Sequence, residues 1–291
     1  MSEHSYIHIK YKIGNIQNGL YVVSTPIGNS LDITIRALHI LKNAKIIACE
    51  DTRVFLKLMK LHNIKIEKKR IIRYDEYSGA KALPILEKKL INGSSVALVS
   101  DAGTPLISDP GYKLLKAAQK KEINIFSIPG PSSVIASLSV SGCPPIPFIF
   151  LGFLPSQSSL RKRKLEEYAH TKATIICFET ANRVQKTLLD MKKIYGDRDV
   201  SIARELTKIH EEILCGSLDN INKLVHKMKS IKGEMVILVS YKKYKPNKDI
   251  DNAKTLLKKF LNPLSISEAA TEVAKITDFN KKELYKLGMD L

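Results

Sequence analysis

Three short loops rich in glycine, serine and threonine carry the groups best suited to bind a small ligand. They cover residues 25–29, 100–105 and 129–133, and each follows a predicted strand. In α/β proteins, ligands bind beyond the carboxyl ends of the strands. Glycine lets the backbone approach a ligand there, while hydroxyls and unpaired N–H groups supply hydrogen bonds. Any strand-to-helix turn favours glycine and aspartate, but three such loops in one half of the chain predict a ligand site.

The same loops argue against two common kinds of nucleotide site. None has the spacing of a P-loop, and none matches Gly-x-Gly-x-x-Gly, so we expect neither an ATPase nor an ordinary dinucleotide-dependent enzyme.

The four cysteines, Cys49, Cys143, Cys177 and Cys215, lie far apart. Their spacing fits neither a zinc site nor a small disulfide scaffold, so no metal is predicted.

The elements that must position these loops alternate between short apolar runs and longer helical patterns. This alternation predicts an α/β fold with mainly parallel sheets. In the first half we predict strands over 20–23, 45–49, 95–100 and 123–128, and helices over 32–43 and 52–62. The run 95–100 is apolar on both faces, which is typical of a strand buried inside a parallel sheet.

The second half of the chain repeats this pattern after a dense cluster of prolines and glycines at 142–147. Its predicted strands cover 174–178, 200–203 and 235–239, with a helix over 182–194. We therefore predict an N-terminal extension over 1–18, an α/β domain carrying the ligand loops over 19–150, a second α/β domain over 151–242, and a helical tail over 243–291. In the tail, Ser265 and Glu268 have capping-box spacing, and two short helices around 277–280 resemble a helix-turn-helix.

The overall charge is strongly positive. The 291 residues include 47 Lys and Arg against 29 Asp and Glu, a net charge of +18. Such a balance favours an anionic partner such as nucleic acid, although an AT-rich coding sequence would also enrich lysine. No apolar run approaches the ~18 residues of a membrane span, and the start of the chain lacks the pattern of a secretory signal. We expect a cytoplasmic protein.

Several longer strings resemble a known family. In order, they are GLYVVSTPIGNSLDITIRAL, ACEDTR, LVSDAGTPLISDPGY, IPGPSS, LGFLP and ARELTKIHEE. Together they resemble the tetrapyrrole methylase superfamily, and within it the group that methylates the small-subunit ribosomal RNA. The resemblance covers about residues 18–240, and Lys282–Tyr285 of the tail also match.

The resemblance implies a fold and a cofactor. The fold would be two αβα domains with S-adenosylmethionine in the cleft between them, plus a small helical C-terminal segment, usually as a homodimer. The implied cofactor contacts come from both domains: Pro26, Asp101, Ala102, Gly103, Thr104, Ile107, Ser132, Ser133, Phe178, Ala203, Arg204, Gly233 and Glu234.

The implied reaction is methyl transfer to the ribose 2′-hydroxyl of a cytidine in the decoding region of 16S rRNA, with the assembled 30S subunit as the expected substrate. A ribose hydroxyl is a poor nucleophile, so it needs in-line placement and help in losing its proton. Candidate catalytic residues are Glu50 and Asp51, with Lys208, His210 and Glu211 as further possibilities. The guanidinium groups of Arg53 and Arg204 suit phosphate or carboxylate pairing, and Arg53 completes the catalytic set.

RNA contacts are expected where basic residues cluster, although a charge run is usually a solvated face. The candidates are Arg161, Lys162, Arg163, Lys164, Lys281 and Lys282. Two alternatives remain open. One is an enzyme of the same fold that methylates a tetrapyrrole precursor, which the basic charge and the SDAGTP loop disfavour because those enzymes usually carry a Gly-Gly-Asp-Pro turn. The other is an RNA-binding protein that binds the cofactor without turnover.

Overall fold

The computed structural model describes residues 15–67, 70–228, 231–241, 250–277 and 279–291, with the backbone alone at 275 and 276. Most of the predicted N-terminal extension and the first residues of the predicted tail lie outside these ranges. The chain divides into two compact units, residues 1–241 and 242–291. The first unit contains two five-stranded sheets, and the second is helical.

The first sheet is entirely parallel. It consists of β1 (Gly19–Val23), β2 (Ile46–Cys49), β3 (Ile71–Arg73), β4 (Ser95–Val99) and β5 (Ile125–Ile128), in the order β3-β2-β4-β1-β5. Every residue of β4 is buried, as its apolar run predicts. The chain leaves the neighbouring strands β2 and β4 in opposite directions, towards β3 and β5. Such a divergence opens a crevice at the carboxyl ends of the strands.

Helices cover both faces of the first sheet. On one face, α1 (Ile35–Asn43) and α2 (Thr52–Leu61) pack against side chains such as Ile47 and Val99. On the other, α3 (Gly79–Ile91) and α4 (Tyr112–Lys120) pack against the alternating residues of the same strands. Because successive side chains of a strand point to opposite faces, one apolar run such as β4 supplies both layers.

The second sheet is mixed, so the prediction of mainly parallel sheets is wrong for this half. It consists of β6 (Phe148–Phe153), β7 (Thr174–Thr180), β8 (Asp199–Arg204), β9 (Glu212–Ser217) and β10 (Glu234–Val239), in the order β6-β7-β10-β8-β9. Only β6 and β7 pair in parallel. The loop at 205–211 is too short for the crossover that a parallel pair requires, and β8 and β9 therefore pair antiparallel.

One helix leads from the first sheet to the second. The second sheet packs one face against α6 (Ser158–Glu166), α7 (Val184–Tyr195) and α8 (Leu218–Lys227). Its other face packs against α5 (Ser133–Val140), which leaves the carboxyl end of β5 in the first sheet. The second sheet begins at Phe148, three residues before the predicted boundary at 151. The N-terminus of α5 thus lies between the sheets.

The second unit is a three-helix cluster of α9 (Ile250–Phe260), α10 (Ile266–Ile276) and α11 (Lys281–Met289). Leu257, Val273 and Leu284 form part of its buried core. The predicted capping box at the start of α10 is confirmed, because Ser265 and Glu268 each accept from the other's backbone N–H. Within the described ranges, no helix has the length and apolarity needed to cross a membrane.

Candidate functional site

The three predicted ligand loops meet at the carboxyl edge of the first sheet. Thr25 and Gly103 exchange backbone hydrogen bonds of 2.9 and 3.1 Å, which join the loop after β1 to the loop after β4. The hydroxyls of Ser24 and Thr104 lie 2.9 Å apart, and Thr104 Oγ1 donates to the Pro131 carbonyl at 3.2 Å. These bonds hold loops that are far apart in sequence as one surface.

A cavity of about 440 Å³ opens between this surface and the second sheet. Its volume lies in the range of small-molecule sites. Most of the cofactor residues implied by the resemblance line it: Asp101, Ala102, Gly103, Thr104, Ile107, Ser132, Ser133, Phe178, Ala203 and Glu234. The structure therefore brings loops of both domains to one small space.

Three of the implied cofactor residues do not line the cavity: Pro26, Arg204 and Gly233. Arg204 is held by Glu212, whose carboxylate accepts from Nε at 3.0 Å, and by the Lys232 carbonyl. Gly233 has φ +94° and lies so close to Glu205 that a Cβ would overlap it. We therefore assign Gly233 to shaping the cavity wall.

Further lining residues are missed by the sequence reasoning. They are Ile27, Ser108, Asp109, Phe153, Glu179, Thr180, Glu205, Leu206, Met235 and Val236, while Lys208, a predicted further possibility for catalysis, also lines the wall. The signal for Asp109 was available, because it ends the same SDAGTPLISD string as Asp101. Ile27 and Ser108 likewise fall within the loop strings, and Glu205 and Leu206 within ARELTKIHEE. The pattern of the apolar strands does not identify Phe153, Met235 or Val236 as lining residues.

Six carboxyl groups line the cavity, and three of them, Glu50, Asp101 and Asp109, have raised pKa values. Burial raises the pKa of Glu50, and the charge of Asp101 adds to the effect. Burial likewise raises the pKa of Asp101 and raises that of Asp109 to about 6, with smaller contributions from Glu50 and Asp101. Among the residues with described coordinates, no His, Cys, Asp and Glu side chains form a group of three that could hold a metal ion.

Asp51 and Arg53 form an ion pair with each other. Asp51 caps α2 by accepting from the Arg53 N–H at 2.7 Å, and its carboxylate pairs with the Arg53 guanidinium at 2.6 Å. Hydrogen bonds from Arg53 hold the pKa of Asp51 well below its usual range, which makes it a weak proton acceptor. Neither side chain lines the cavity. Of the three predicted catalytic residues, only Glu50 does.

The wall contributed by the second sheet carries a fixed cation. Lys208 Nζ donates to Glu205 and to Glu234, both at 2.9 Å. Burial disfavours the ammonium, but the two carboxylates outweigh it and raise the pKa of Lys208. The loop that carries Lys208 also packs on the first domain, since a Cβ at Gly28 would come within 2.6 Å of Lys208 Cγ.

The predicted RNA-contact run at 161–164 lies in α6, and the helix turns some of its side chains inwards and others to the surface. Arg161 is 3% exposed and pairs with Asp190 at 2.6 Å, so its prediction as an RNA contact is wrong. It shares the inward face of α6 with Leu165, one turn away. Lys162 also approaches Asp190, and Lys164 pairs with Glu167. Arg163 is exposed, as are Lys281 and Lys282 in α11.

Comparison with known families and proteins consistently identifies the same family. Residues 19–222 match the family Tetrapyrrole (Corrin/Porphyrin) Methylases, and residues 247–291 match the RsmI C-terminal HTH domain. The ribosomal RNA small subunit methyltransferase I of Rickettsia prowazekii is 42% identical over 275 residues, which cover 94% of this chain and 96% of that protein. The protein of the same name from Vibrio cholerae is 42% identical over 93% of this chain and 94% of its own length.

Solved structures agree on the fold. A cobalt precorrin-4 methyltransferase matches with a TM-score of 0.55 at 17% identity, covering 76% of this chain and 94% of its own. A diphthine synthase matches with a TM-score of 0.60 at 14% identity, covering 76% and 89%. At these identities the likeness concerns the fold alone.

Proposed function

Because the chain belongs to the tetrapyrrole methylase family, and within it to the ribosomal RNA small subunit methyltransferases I, we propose that it methylates the ribose 2′-hydroxyl of a cytidine in 16S rRNA. The chain is an S-adenosylmethionine-dependent methyltransferase. The assignment of its site rests on one observation. Residues of both domains line the same cavity, and they include most of the expected cofactor residues.

The residues present fit S-adenosylmethionine. Gly103, at φ +81°, lines the cavity with backbone and no side chain, and the N-cap residue of α5, Ser132, makes no side-chain cap hydrogen bond to the first N–H groups of the helix. A helix N-terminus of this kind suits a carboxylate, while apolar side chains such as Phe178 and Val236 suit a flat ring. When bound, the cofactor supplies a methyl group on a cationic sulfur that a nucleophile can attack.

We assign proton acceptance from the ribose hydroxyl to Glu50. Its carboxylate lines the cavity, and burial raises its pKa towards neutrality, where a general base works best. Asp101 supports this role, because its backbone N–H donates to Glu50 at 3.5 Å and its charge raises the pKa of Glu50. Asp51 and Arg53 position this segment by capping α2, and the Asp51 N–H donates to Asp101 at 3.0 Å.

The RNA surface is proposed to include Arg163 in the second domain and Lys281 and Lys282 in the helical tail, all of which are exposed. A net charge of +18 supports a polyanionic substrate. We further propose that the enzyme acts as a homodimer in the cytoplasm and that its substrate is the assembled 30S subunit.

An assay that compares two substrates, each offered separately, tests the proposed function. The full chain is incubated with methyl-labelled S-adenosylmethionine and either 30S subunits lacking the modification or a reduced porphyrin precursor. Label in the 16S rRNA supports the proposal. Label in the tetrapyrrole would favour the alternative chemistry of the same fold, and cofactor binding without label in either substrate would favour a binding protein without turnover.

A further inference from the structure

The loop between β8 and β9, residues 205–211, presents two very different side chains on consecutive residues. Lys208 lines the cavity and is held by Glu205 and Glu234. Ile209, the next residue, is 98% exposed, the largest exposed fraction among the large apolar side chains that the structure describes. Single exposed apolar side chains are common on protein surfaces, but this one directly follows a residue that lines a ligand cavity, where a substrate must pass.

The loop holds this side chain outwards by its own structure. Glu205 and Thr207 both adopt positive φ, at +49° and +63°. Such conformations are costly for residues other than glycine, and they cluster at functional sites. Lys208 N–H donates to the Glu205 carbonyl at 3.0 Å, Glu211 N–H donates to the Lys208 carbonyl at 3.1 Å, and Thr207 N–H donates to the Glu211 carboxylate. Ile209 therefore stands at the tip of an ordered turn.

The tip lies at the junction of the two domains. The Asn29 N–H donates to Thr207 Oγ1 at 2.9 Å, and Gly28 packs on Lys208. Two residues after Asn29, Leu31 is 74% exposed. Aliphatic side chains are thus exposed on the segments of both domains that meet beside the cavity.

We propose that Ile209 is a substrate-contacting residue that packs between bases next to the target nucleotide and holds the target ribose in the cavity. This inference rests on the proposed RNA substrate. A ribose inside an RNA stack cannot enter a cavity of about 440 Å³ unless its nucleotide is splayed out. Apolar side chains wedged between bases are one established way to keep a nucleic acid unstacked.

Polar side chains lie on both sides of the apolar contact. Lys208 and the exposed His210 flank Ile209 in the sequence, and Lys208 is fixed as a cation within the cavity wall. Because Lys208 is already paired with two carboxylates, the neighbouring base would meet Ile209 while the adjacent backbone would pass on the side of the exposed His210.

The test compares three variants of the full chain on 30S subunits lacking the modification. Ile209→Ala is expected to lower kcat/KM for the subunits by about tenfold or more, because it removes three apolar carbons from a contact that would bury them. Ile209→Leu retains an aliphatic side chain of the same size and is expected to restore most of the activity. Ile91→Ala, an exposed isoleucine at the end of α3 on the opposite edge of the first sheet, is the matched control. Cofactor affinity should be the same in all three.

Two results would overturn the inference. One is wild-type kcat/KM in Ile209→Ala while the wild-type enzyme is active on the subunits. The other is loss of activity together with a change from dimer to monomer in sedimentation, which would assign Ile209 to a contact between two copies of the chain. An inactive wild-type enzyme would instead contradict the proposed function, so the two failures are distinguishable.

Discussion

Thr25 and Gly103 exchange a pair of backbone hydrogen bonds, 2.9 and 3.1 Å long, across the carboxyl edge of the first sheet. The pair fixes the loop after β4 against the loop after β1 and holds Gly103, which lines the cavity, at φ +81°. The backbone there is held in place before any ligand arrives.

Gly103→Ala is expected to weaken S-adenosylmethionine binding at least tenfold, because the Cβ occupies space beside the ligand and the backbone must relax from its positive φ. Titration calorimetry measures the affinity. Gly142→Ala is the matched control, since Gly142 also has positive φ, at +69°, but has open space around its Cβ position. Equal cofactor affinity in the two variants would contradict the assignment of Gly103 to the cofactor.

Glu50 and Asp51 are neighbours with different expected roles. Glu50→Gln is expected to lower kcat by about 10²–10⁴-fold with little change in cofactor affinity, as for loss of a general base. Asp51→Asn keeps a good N-cap residue and should retain most of the activity. Single-turnover methyl transfer measures both. Normal turnover by Glu50→Gln would remove Glu50 from the proton transfer.

Asp109 links the site to pH-dependent stability. Its pKa is raised by burial to about 6, above the ordinary value of 3.8, so the folded state holds the proton more tightly than the unfolded chain. The associated stabilisation is complete below about pH 4 and is lost as the pH rises through 6. Asp109→Asn should therefore raise the free energy of unfolding at pH 8 by roughly 1–2 kcal/mol, because solvent screening reduces the 1.36 kcal/mol per pKa unit of a partly exposed group.

The same substitution should have little effect on stability at pH 4, where both proteins carry a neutral side chain. Thermal unfolding at the two pH values measures the difference, and Glu166→Gln, on the exposed side of α6, serves as the control. An equal gain at both pH values would show that the effect comes from packing instead of titration.

Arg161 and Arg163 lie two residues apart on α6 and should separate folding from binding. Arg161→Ala breaks the buried pair with Asp190 and leaves that carboxylate only the Ser158 hydroxyl and the more distant Lys162; breaking a buried pair typically costs about 3–5 kcal/mol. Arg163→Ala should change stability by less than about 0.5 kcal/mol and reduce the salt slope of RNA binding by about 0.7. Denaturant unfolding and salt-dependent binding measure the two effects. An unchanged salt slope for Arg163→Ala would show that this residue does not contact RNA.

Much of the first sheet could be predicted from the sequence because its strands are buried on both faces. The apolar run of β4 and the loops after β1, β4 and β5 were recognisable from composition alone. The second sheet was harder. A strand such as β9 has a half-exposed, polar pattern, and the direction in which strands pair depends on connections that local pattern does not encode.

For the site as well, the sequence predicts some parts and misses others. The Gly-rich loops identified one wall of the cavity, because glycine and hydroxyl residues at strand ends have a local signature. The roles of charged residues depended on tertiary contacts. The charge run alone predicts that Arg161 is a surface cation, whereas the fold pairs it with the buried Asp190 on α7. The sequence likewise predicts Asp51 as a base, but in the structure its carboxylate caps α2 by accepting from the Arg53 N–H.

The most direct test of the central claim is to identify the methylated nucleoside. The full chain, S-adenosylmethionine and unmodified 30S subunits are incubated together, and the 16S rRNA is then digested to nucleosides for mass spectrometry. The account predicts one new 2′-O-methylcytidine per subunit, which Glu50→Gln forms far more slowly. A methyl group on a base, or rRNA that gains no methyl group while the protein binds the cofactor, would contradict it.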